Sequence, residues 1–423
     1  MNFLEELTWR GMIHDVMPGT KERFEKGPCT GYIGFDPTAD SLHIGSLVQI
    51  MTLVHFQRCG NKPLILVGGA TGMVGDPSGK SQERNLLDLE TLQKNQSAVK
   101  IQLSHFLDFT GDNPAEIVNN YDWFKSMSFL DFIRDIGKHI TINYMLSKDS
   151  VKSRMETGMS FTEFTYQLVQ GYDFYHLYQE KNCDIQLGGS DQWGNIVTGT
   201  ELIRRKLGAE AFAVTTPLIK KADGSKFGKT EEGNVWLSKE RTSPYKFYQY
   251  WLNCSDEDAA SFIRIFTLFD QDKINSLNSE HQQSPHLRIL QKALAEDITK
   301  RVHGEMELQN AITASNILFG KATKEDLASL SVDDFLTVFD GVPQKQLPLS
   351  LLSLKPSIVD VLVGESGFLS SNSDARREIK AQSISINKEK VDEHFVLSAE
   401  NLLNGKFILI GKGKKSNFIL FFE

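Results

Sequence analysis

A chain of 423 residues with 40% hydrophobic and 24% charged side chains is too long for one ordinary core and has the composition of a soluble globular protein of about two to four domains. Its net charge of −8 argues against non-specific wrapping of a long duplex, while leaving room for a nucleic acid held on a local basic face. Cys29, Cys59, Cys183 and Cys254 form no Cys-x-x-Cys pair and no metal-ligand spacing, so they read as reduced thiols and exclude a disulfide or zinc framework.

The N-terminus carries Glu5 and Glu6 without a sustained apolar run, unlike a signal peptide. Apolar stretches at 63–67 and 418–422 fall far short of the ~18 residues that a membrane span needs. A cytoplasmic protein with no membrane partner is expected. Residues 1–220 have an α/β pattern, with apolar runs at 31–35, 63–67, 183–187 and 213–219. These predict parallel strands that lead mostly into Gly, Asp or Ser, with helix-like stretches between them.

After Tyr32, Ile33 and Phe35 comes Pro37-Thr-Ala-Asp-Ser-Leu-His-Ile-Gly-Ser46, which reads as a strand-to-helix turn. Asp40 and Ser41 are the expected caps, placing His43 in the first helical turn, and Gly45 lets a ligand approach the backbone. Outward-facing amides and the positive end of the dipole suit a phosphate. Leu47, Ile50, Met51 and Val54 follow at helical spacing until Gly60 stops the helix.

The turn Val67-Gly-Gly-Ala-Thr-Gly-Met-Val-Gly-Asp-Pro-Ser-Gly79 precedes Lys80 and Arg84, both candidates to reach a phosphate. Its glycine spacing and the expected lack of an early helix exclude a dinucleotide fingerprint, and the position of its lysine excludes a P-loop. Residues 104–182 exceed what one crossover helix requires, so a helical insertion is expected there. Within it, helical spacing puts Tyr166, Gln170 and Asp173 on one face and Phe164, Leu168 and Tyr175 on the other. The pattern fits an ordinary amphipathic helix or one wall of a polar pocket, and by itself favours the first.

Leu187-Gly-Gly-Ser-Asp-Gln-Trp-Gly-Asn195 forms another strand-to-helix turn. Its paired glycines allow close approach, and Asp191 can accept from a ribose where α/β sheets bind ligands; a plain helix cap is the alternative. Residues 221–243 form a polar linker. Within it Lys226-Phe-Gly-Lys-Thr230 holds two lysines near Gly224 and Gly228, able to swing onto a polyphosphate. Alone, each lysine is an ordinary solvated charge and His43 an ordinary surface histidine. Together, these segments suggest a nucleotide gripped from both sides.

The pattern turns helical over 244–320, and 345–423 forms a small α+β module. That tail has 11 Lys and Arg against 9 Asp and Glu, unlike the acidic remainder. No Ser/His/Asp or Cys/His nucleophile set has a recognisable context.

Residues 35–46 resemble the HIGH signature of class I aminoacyl-tRNA synthetases, and 226–230 resemble the partner KMSKS signature in the form typical of bacterial tyrosyl-tRNA synthetases. Val67–Pro77, Asn120-Tyr-Asp-Trp123, Ser160-Phe-Thr-Glu-Phe164, Gly188–Asn195 and Thr242-Ser-Pro-Tyr245 match that family in order. The resemblance implies a Rossmann-like catalytic domain with a helical insertion, an α-helical anticodon-side domain at 244–320 and a C-terminal RNA-binding module at 345–423. It implies tyrosine activation by ATP with Mg²⁺, then transfer to tRNA(Tyr), by a homodimer.

The same resemblance implies that Tyr32 and Asp173 bind the phenolic hydroxyl, while Tyr166, Gln170 and Asp76 hold the α-amino group. Asp36, Asp191 and Gln192 would contact the adenylate or reacting carboxylate, with Gly45 and Gly189 along the nucleotide. Thr38, His43, Lys80, Arg84, Lys226, Lys229 and Thr230 would hold the phosphates. Lys148, Arg204, Arg205, Lys412, Lys414 and Lys415 would face tRNA, and no protein-held metal is implied. Ser46, Ile33 and Gln49 depart from the pattern on the ribose side, which implies altered ATP affinity. Tyr32 and Asp173 separate the chain from a tryptophanyl synthetase, and the tail separates it from a nucleotidyltransferase that lacks tRNA. Retention of both signatures argues against an RNA-binding relative that has lost catalysis.

Overall fold

The run Thr-Gly-Tyr-Ile-Gly-Phe becomes the strand around which the first half of the chain is laid. A computed structural model describes residues 2–76, 78, 87–148, 151–152, 158–230, 233–319, 323–328, 332, 335–336, 339, 341–413 and 416–423. The strands β1 (Asp15–Val16), β2 (Thr30–Phe35), β3 (Lys62–Val67), β4 (Glu116–Asn119), β5 (Cys183–Gly189) and β6 (Phe212–Thr216) form one sheet in the order β1-β6-β5-β2-β3-β4. All are parallel except β1, which pairs antiparallel with β6. Both faces are covered, so β3 can be apolar almost throughout, with Leu64, Ile65, Leu66 and Val67 all buried. From β2 the chain builds outward through β3 and β4, then returns on the other side through β5 and β6. The order therefore reverses between β2 and β5, where a crevice opens at the strands' carboxyl ends.

The helices that matter for the site are α1 (Phe3–Arg10), α2 (Leu47–Arg58), α3 (Phe161–Lys181), α4 (Trp193–Leu207) and α5 (Asp256–Phe266). α3 starts at a capping box in which Ser160 accepts from the Glu163 backbone N–H while Glu163 reaches back, and Asn182 ends it at φ 51°. Its faces differ in surroundings. Leu168 and Tyr175 enter a hydrophobic core with Phe174 and Leu177, with Phe164 partly buried against it, while Tyr166, Gln170 and Asp173 face a cavity.

Four local expectations change. α2 begins later than Asp40 and Ser41 suggested, because the Ser41 hydroxyl donates to the Leu42 carbonyl and accepts from Gln102 and the Ser238 N–H. His43 itself caps a single turn, Ile44–Ser46. A one-turn helix, Thr71–Val74, closely follows the turn after β3, so the expected lack of an early helix there does not hold. The region 104–182 contains β4, an edge strand too short and too polar in its flanks to stand out. The run expected at 213–219 stops at Thr216, since Pro217 cannot continue the ladder.

Compactness divides the chain into residues 1–238 with 255–290, and residues 239–254 with 291–423. Residues 255–290, expected with the helical domain, thus belong to the first unit. The second unit holds the helix Pro244–Leu252, α6 (Glu305–Phe319) and α7 (Asn372–Lys380). Its sheet is built from β9 (Gln344–Leu347), β10 (Ile384–Ile386), β11 (Glu389–Lys390), β12 (Phe407–Lys412) and β13 (Ser416–Phe422), in the order β11-β10-β12-β13-β9. Strands β7 (Lys229–Thr230) and β8 (Gly233–Asn234) form a separate ribbon in the first unit. Alternation along β12 sends Ile408 and Ile410 to a core with Leu362 and Ile379. Phe407 and Leu409 go to another, with Leu318, Phe335 and Phe339. The tail sheet is therefore buried on both faces.

Candidate active site

At the carboxyl ends of β2 and β5 lies a cavity of about 420 Å³. β2 and the residues after it supply Tyr32, Asp36 and Thr38; α3 supplies Tyr166, Gln170 and Asp173. His43 and Gly45 come from the turn before α2, Gly189, Asp191 and Gln192 from the end of β5, and Asp76 from beyond β3. The fold thus gathers, from segments far apart in sequence, the residues expected at a tyrosine and nucleotide site. Ile33, Ser46 and Gln49 also line it.

Asp173 is buried, with one carboxylate oxygen accepting from Asn120 Nδ2 at 3.0 Å and the other from Trp123 Nε1 at 2.9 Å. Burial pushes its carboxyl up to about 8, against the pull of those two hydrogen bonds, and the nearby Asp36 charge adds to the rise. The Tyr32 phenol is driven well above its ordinary range by burial and by Asp173, so it remains an O–H. Among the described residues that hydroxyl has no hydrogen-bond partner, nor do the side-chain oxygens of Gln170, Gln186 and Gln49. Four unpartnered polar atoms lining one cavity are ready-made contacts for a polar guest, since buried polar groups are ordinarily paired.

Around the middle of the cavity the polar groups hold one another. Tyr166 donates to Asp36 at 3.0 Å, and Thr71 donates to its other oxygen at 2.7 Å. Asp76 accepts from Gln192 at 2.7 Å and from the Ser78 N–H at 2.9 Å. Asn195 reaches toward the same carboxylate at 3.4 Å. A second chamber of about 580 Å³ shares Asp36, Thr38, His43 and Ser46 with the first and continues to Asn234 and Trp236. Thr38 and His43 therefore border both chambers.

The His43 turn and the lysine loop are knitted together. His43 Nδ1 accepts the Gly45 N–H at 3.0 Å, which assigns the ring proton of the neutral imidazole to Nε2. A Cβ at Gly45 would lie 2.7 Å from the His43 ring. The folded-over imidazole accounts for this glycine without invoking a ligand. Ile44 N–H donates to Val235 O at 2.9 Å, Leu237 N–H to Leu42 O at 2.8 Å, and Val235 N–H to Gly228 O at 3.0 Å. Gly228 sits at φ 85°, and a Cβ there would be 3.2 Å from Ile44 Cγ1 and 3.4 Å from the Gly45 nitrogen. Lys226, Lys229 and Thr230 are exposed, outside the cavity lining but flanking this contact.

Lys80 and Arg84 lie outside the described residues, as do Pro77, Lys414 and Lys415. Lys148 rests 3.6 Å above the Tyr144 ring, and burial lowers its ammonium to about 8. Arg204 pairs with Glu201 at 2.8 Å, and Arg205 also pairs with it. Lys412 stands 3.4 Å from Glu378. Asn120 and Trp123 had been visible as a motif without a role. Gln186 had a weaker signal, an amide in the otherwise apolar run of β5.

The largely parallel sheet, with a polar cavity at its switch point bordered by the histidine turn, is where α/β proteins bind nucleotides and small ligands. Residues 25–320 match the family model described as tRNA synthetases class I (W and Y), and residues 334–420 match the tyrosine–tRNA ligase SYY-like C-terminal domain. The chain is 59% identical over 426 residues to the tyrosine–tRNA ligase of Flavobacterium psychrophilum, covering 99% of each chain. It has the same identity and coverage with that of Flavobacterium johnsoniae. Among solved structures, a C-terminally truncated Aspergillus nidulans mitochondrial tyrosyl-tRNA synthetase superposes with a TM-score of 0.68 at 30% identity, over 75% of this chain and 94% of that one. The chain belongs to the tyrosine–tRNA ligases of class I.

Proposed function

We propose that the chain joins L-tyrosine to ATP, releasing diphosphate, and passes the tyrosyl group from the adenylate to the 3′-terminal adenosine of tRNA(Tyr). The observation that carries the tyrosine assignment is the Tyr32 hydroxyl, buried without a partner among the described residues in a cavity that Asp173 also lines. A substrate phenol can donate to Asp173 and accept from Tyr32. A phenyl ring leaves the Tyr32 hydroxyl unpaired, at about 1–3 kcal/mol, and gives Asp173 nothing beyond Asn120 and Trp123; an indole N–H cannot accept from Tyr32.

For the ammonium, Tyr166 directs its O–H to Asp36 and keeps lone pairs for the substrate, with Asp76 and Gln170 Oε1 as further acceptors. Gln192 and Asp36 would flank the reacting carboxylate. That carboxylate is already a nucleophile, so no general base is required. Its oxygen attacks the α-phosphorus, the bond to the bridging oxygen breaks, and diphosphate leaves with the electron pair. Catalysis then rests on positioning and on stabilising charge at the five-coordinate phosphorus and the leaving diphosphate. Gly45, Gly189 and Asp191 would lie along the adenosine, while Thr38 and His43 Nε2–H meet the γ-phosphate under Lys226, Lys229 and Thr230. Lys80 and Arg84 are assigned to the same phosphates. In the second step a ribose hydroxyl of the terminal adenosine attacks the acyl carbon and loses its proton, and AMP departs with the electron pair of the broken C–O bond.

Mg²⁺ would arrive on the ATP phosphates as the companion of the nucleotide. Bound there, it would neutralise charge building on the diphosphate. Candidate tRNA contacts are Lys148, Arg204, Arg205, Lys412, Lys414 and Lys415, with 345–423 as the RNA-binding module. RNA would have to displace Glu201 from both arginines.

A homodimer is supported by the helix Phe129–Asp135, where Phe129, Leu130 and Ile133 are 63%, 75% and 45% exposed. A second copy would bury this apolar patch, and Leu130→Glu should halve the solution mass. No described helix is long and apolar enough to cross a membrane, and we place the enzyme in the cytoplasm beside its tRNA. The deciding experiment is ATP–diphosphate exchange with each amino acid in turn. Tyrosine-dependent exchange is expected; exchange with tryptophan but not tyrosine overturns the assignment.

A further inference from the structure

We infer that helix α5 is the positioning element of the lysine loop: Asp258 and the Phe262–Phe266 shelf fix where Lys226 and Lys229 stand during adenylate formation. The inference rests on the phosphate role proposed above for those lysines.

The two lysines are exposed, but Phe227 between them is half-buried. Its ring stacks on Phe266 with centroids 5.2 Å apart at 12°, and meets Phe262 edge-on at 5.1 Å and 64°. The next residue, Gly228, is pressed against Ile44 and Gly45. The loop thus has one aromatic pin on α5 and one backbone pin on the His43 turn. Its entry is pinned as well. Ala222 N–H donates to Asp258 Oδ1 at 2.8 Å, and a tight turn returns the chain so that Lys220 pairs with Lys226. Asp258 is buried in the first turn of α5, where the positive end of the helix suits a carboxylate.

α5 is itself immobilised at its other end. Arg10, 2% exposed, donates to the carbonyls of Arg264 at 2.6 Å, Thr267 at 3.0 Å and Phe269 at 2.8 Å. A guanidinium there satisfies orphan carbonyls at the negative end of the helix. α5 also lies against α2, the helix that follows the His43 turn. Both halves of the polyphosphate grip are therefore mounted on one packed helix pair, so α5, together with the Gly228 contact, sets the separation of His43 from the lysines. An aromatic cluster that served the core alone would need neither a hydrogen bond to the loop backbone nor a ring inserted between two solvated lysines.

The test measures single-turnover adenylate formation, tyrosine affinity and melting temperature for Phe227→Ala, Asp258→Ala and Asp258→Asn, and combines each alanine variant with Lys229→Ala. Displacing a phosphate-binding charge by about an ångström predicts a slowing of roughly 10- to 100-fold for Phe227→Ala and Asp258→Ala, with tyrosine affinity unchanged. Asp258→Asn keeps an acceptor for Ala222 and should recover most of the rate. In the Lys229→Ala background the same substitutions should add less than they cost in the parent, because one of the two charges they place is already gone. Unchanged rates in folded variants overturn the inference, as do losses that add fully to that of Lys229→Ala or track melting temperature and tyrosine affinity together. Should Asp258→Ala fail to fold, Phe227→Ala and Asp258→Asn still decide. Failure of Lys229→Ala to slow the reaction of a tyrosine-dependent parent would remove instead the lysine role on which the inference rests.

Discussion

The Tyr32 hydroxyl and the Asp173 carboxylate face the same cavity but stand differently with the protein. Tyr32 makes no hydrogen bond among the described residues, so Tyr32→Phe should leave the melting temperature unchanged or raised. Tyrosine binding should weaken by roughly fivefold, the equivalent of one hydrogen bond of about 1 kcal/mol; equilibrium titration with tyrosine checks both halves. Asp173 is tied to Asn120 and Trp123, yet its pKa is raised to about 8. The folded chain therefore keeps a proton that the unfolded chain releases near its ordinary value of about 3.9. Its contribution to stability is complete below about pH 4 and is lost progressively as pH rises to about 8. Asp173→Asn should remove that slope. Urea midpoints at pH 5 and pH 8 should differ less in the variant than in the parent.

Among the elements, α3 shows how far the sequence could be read. Its capping box, its two faces and its end at Asn182 follow from residue order, and Ser160→Ala should cost about 1 kcal/mol in denaturant unfolding through loss of the cap. What periodicity could not settle was whether the polar face met water or a cavity, because both accept Tyr166, Gln170 and Asp173. The answer needs β2, which brings Tyr32 and Asp36 opposite that face. Strands with long apolar runs were legible for the same reason that they are central. β4 was not, since an edge strand of four residues carries little burial to write into the sequence. The His43 turn was legible as a strand-to-helix turn but not in its detail: its cap is the histidine itself, and its backbone pairs with residues nearly two hundred positions later. No local spacing rule links Asn120 and Trp123 to Asp173, so their supporting role emerged with the fold.

At the scale of the whole molecule, the cavity and lysine loop lie in the first unit and the tail sheet in the second. Deleting residues from 345 onward should therefore spare tyrosine-dependent ATP–diphosphate exchange and impair tRNA charging. It should also leave Leu318, Phe335 and Phe339 without Phe407, Leu409 and Ile419, lowering the melting temperature of the second unit alone. Equal loss of exchange and charging would mean that the tail supports the catalytic fold.

The chain passes between the two units at 238/239, 254/255 and 290/291, which constrains how such a protein can be recombined. A single genetic crossover at 238 separates the lysine loop from α5, and one at 254 separates the helix Pro244–Leu252 from α6. One at 290 keeps the first unit whole but strands that same helix with it. The two units cannot be shuffled between relatives by one exchange. The segments that form the cavity and lysine loop and those that pack beneath the tail therefore have to pass together.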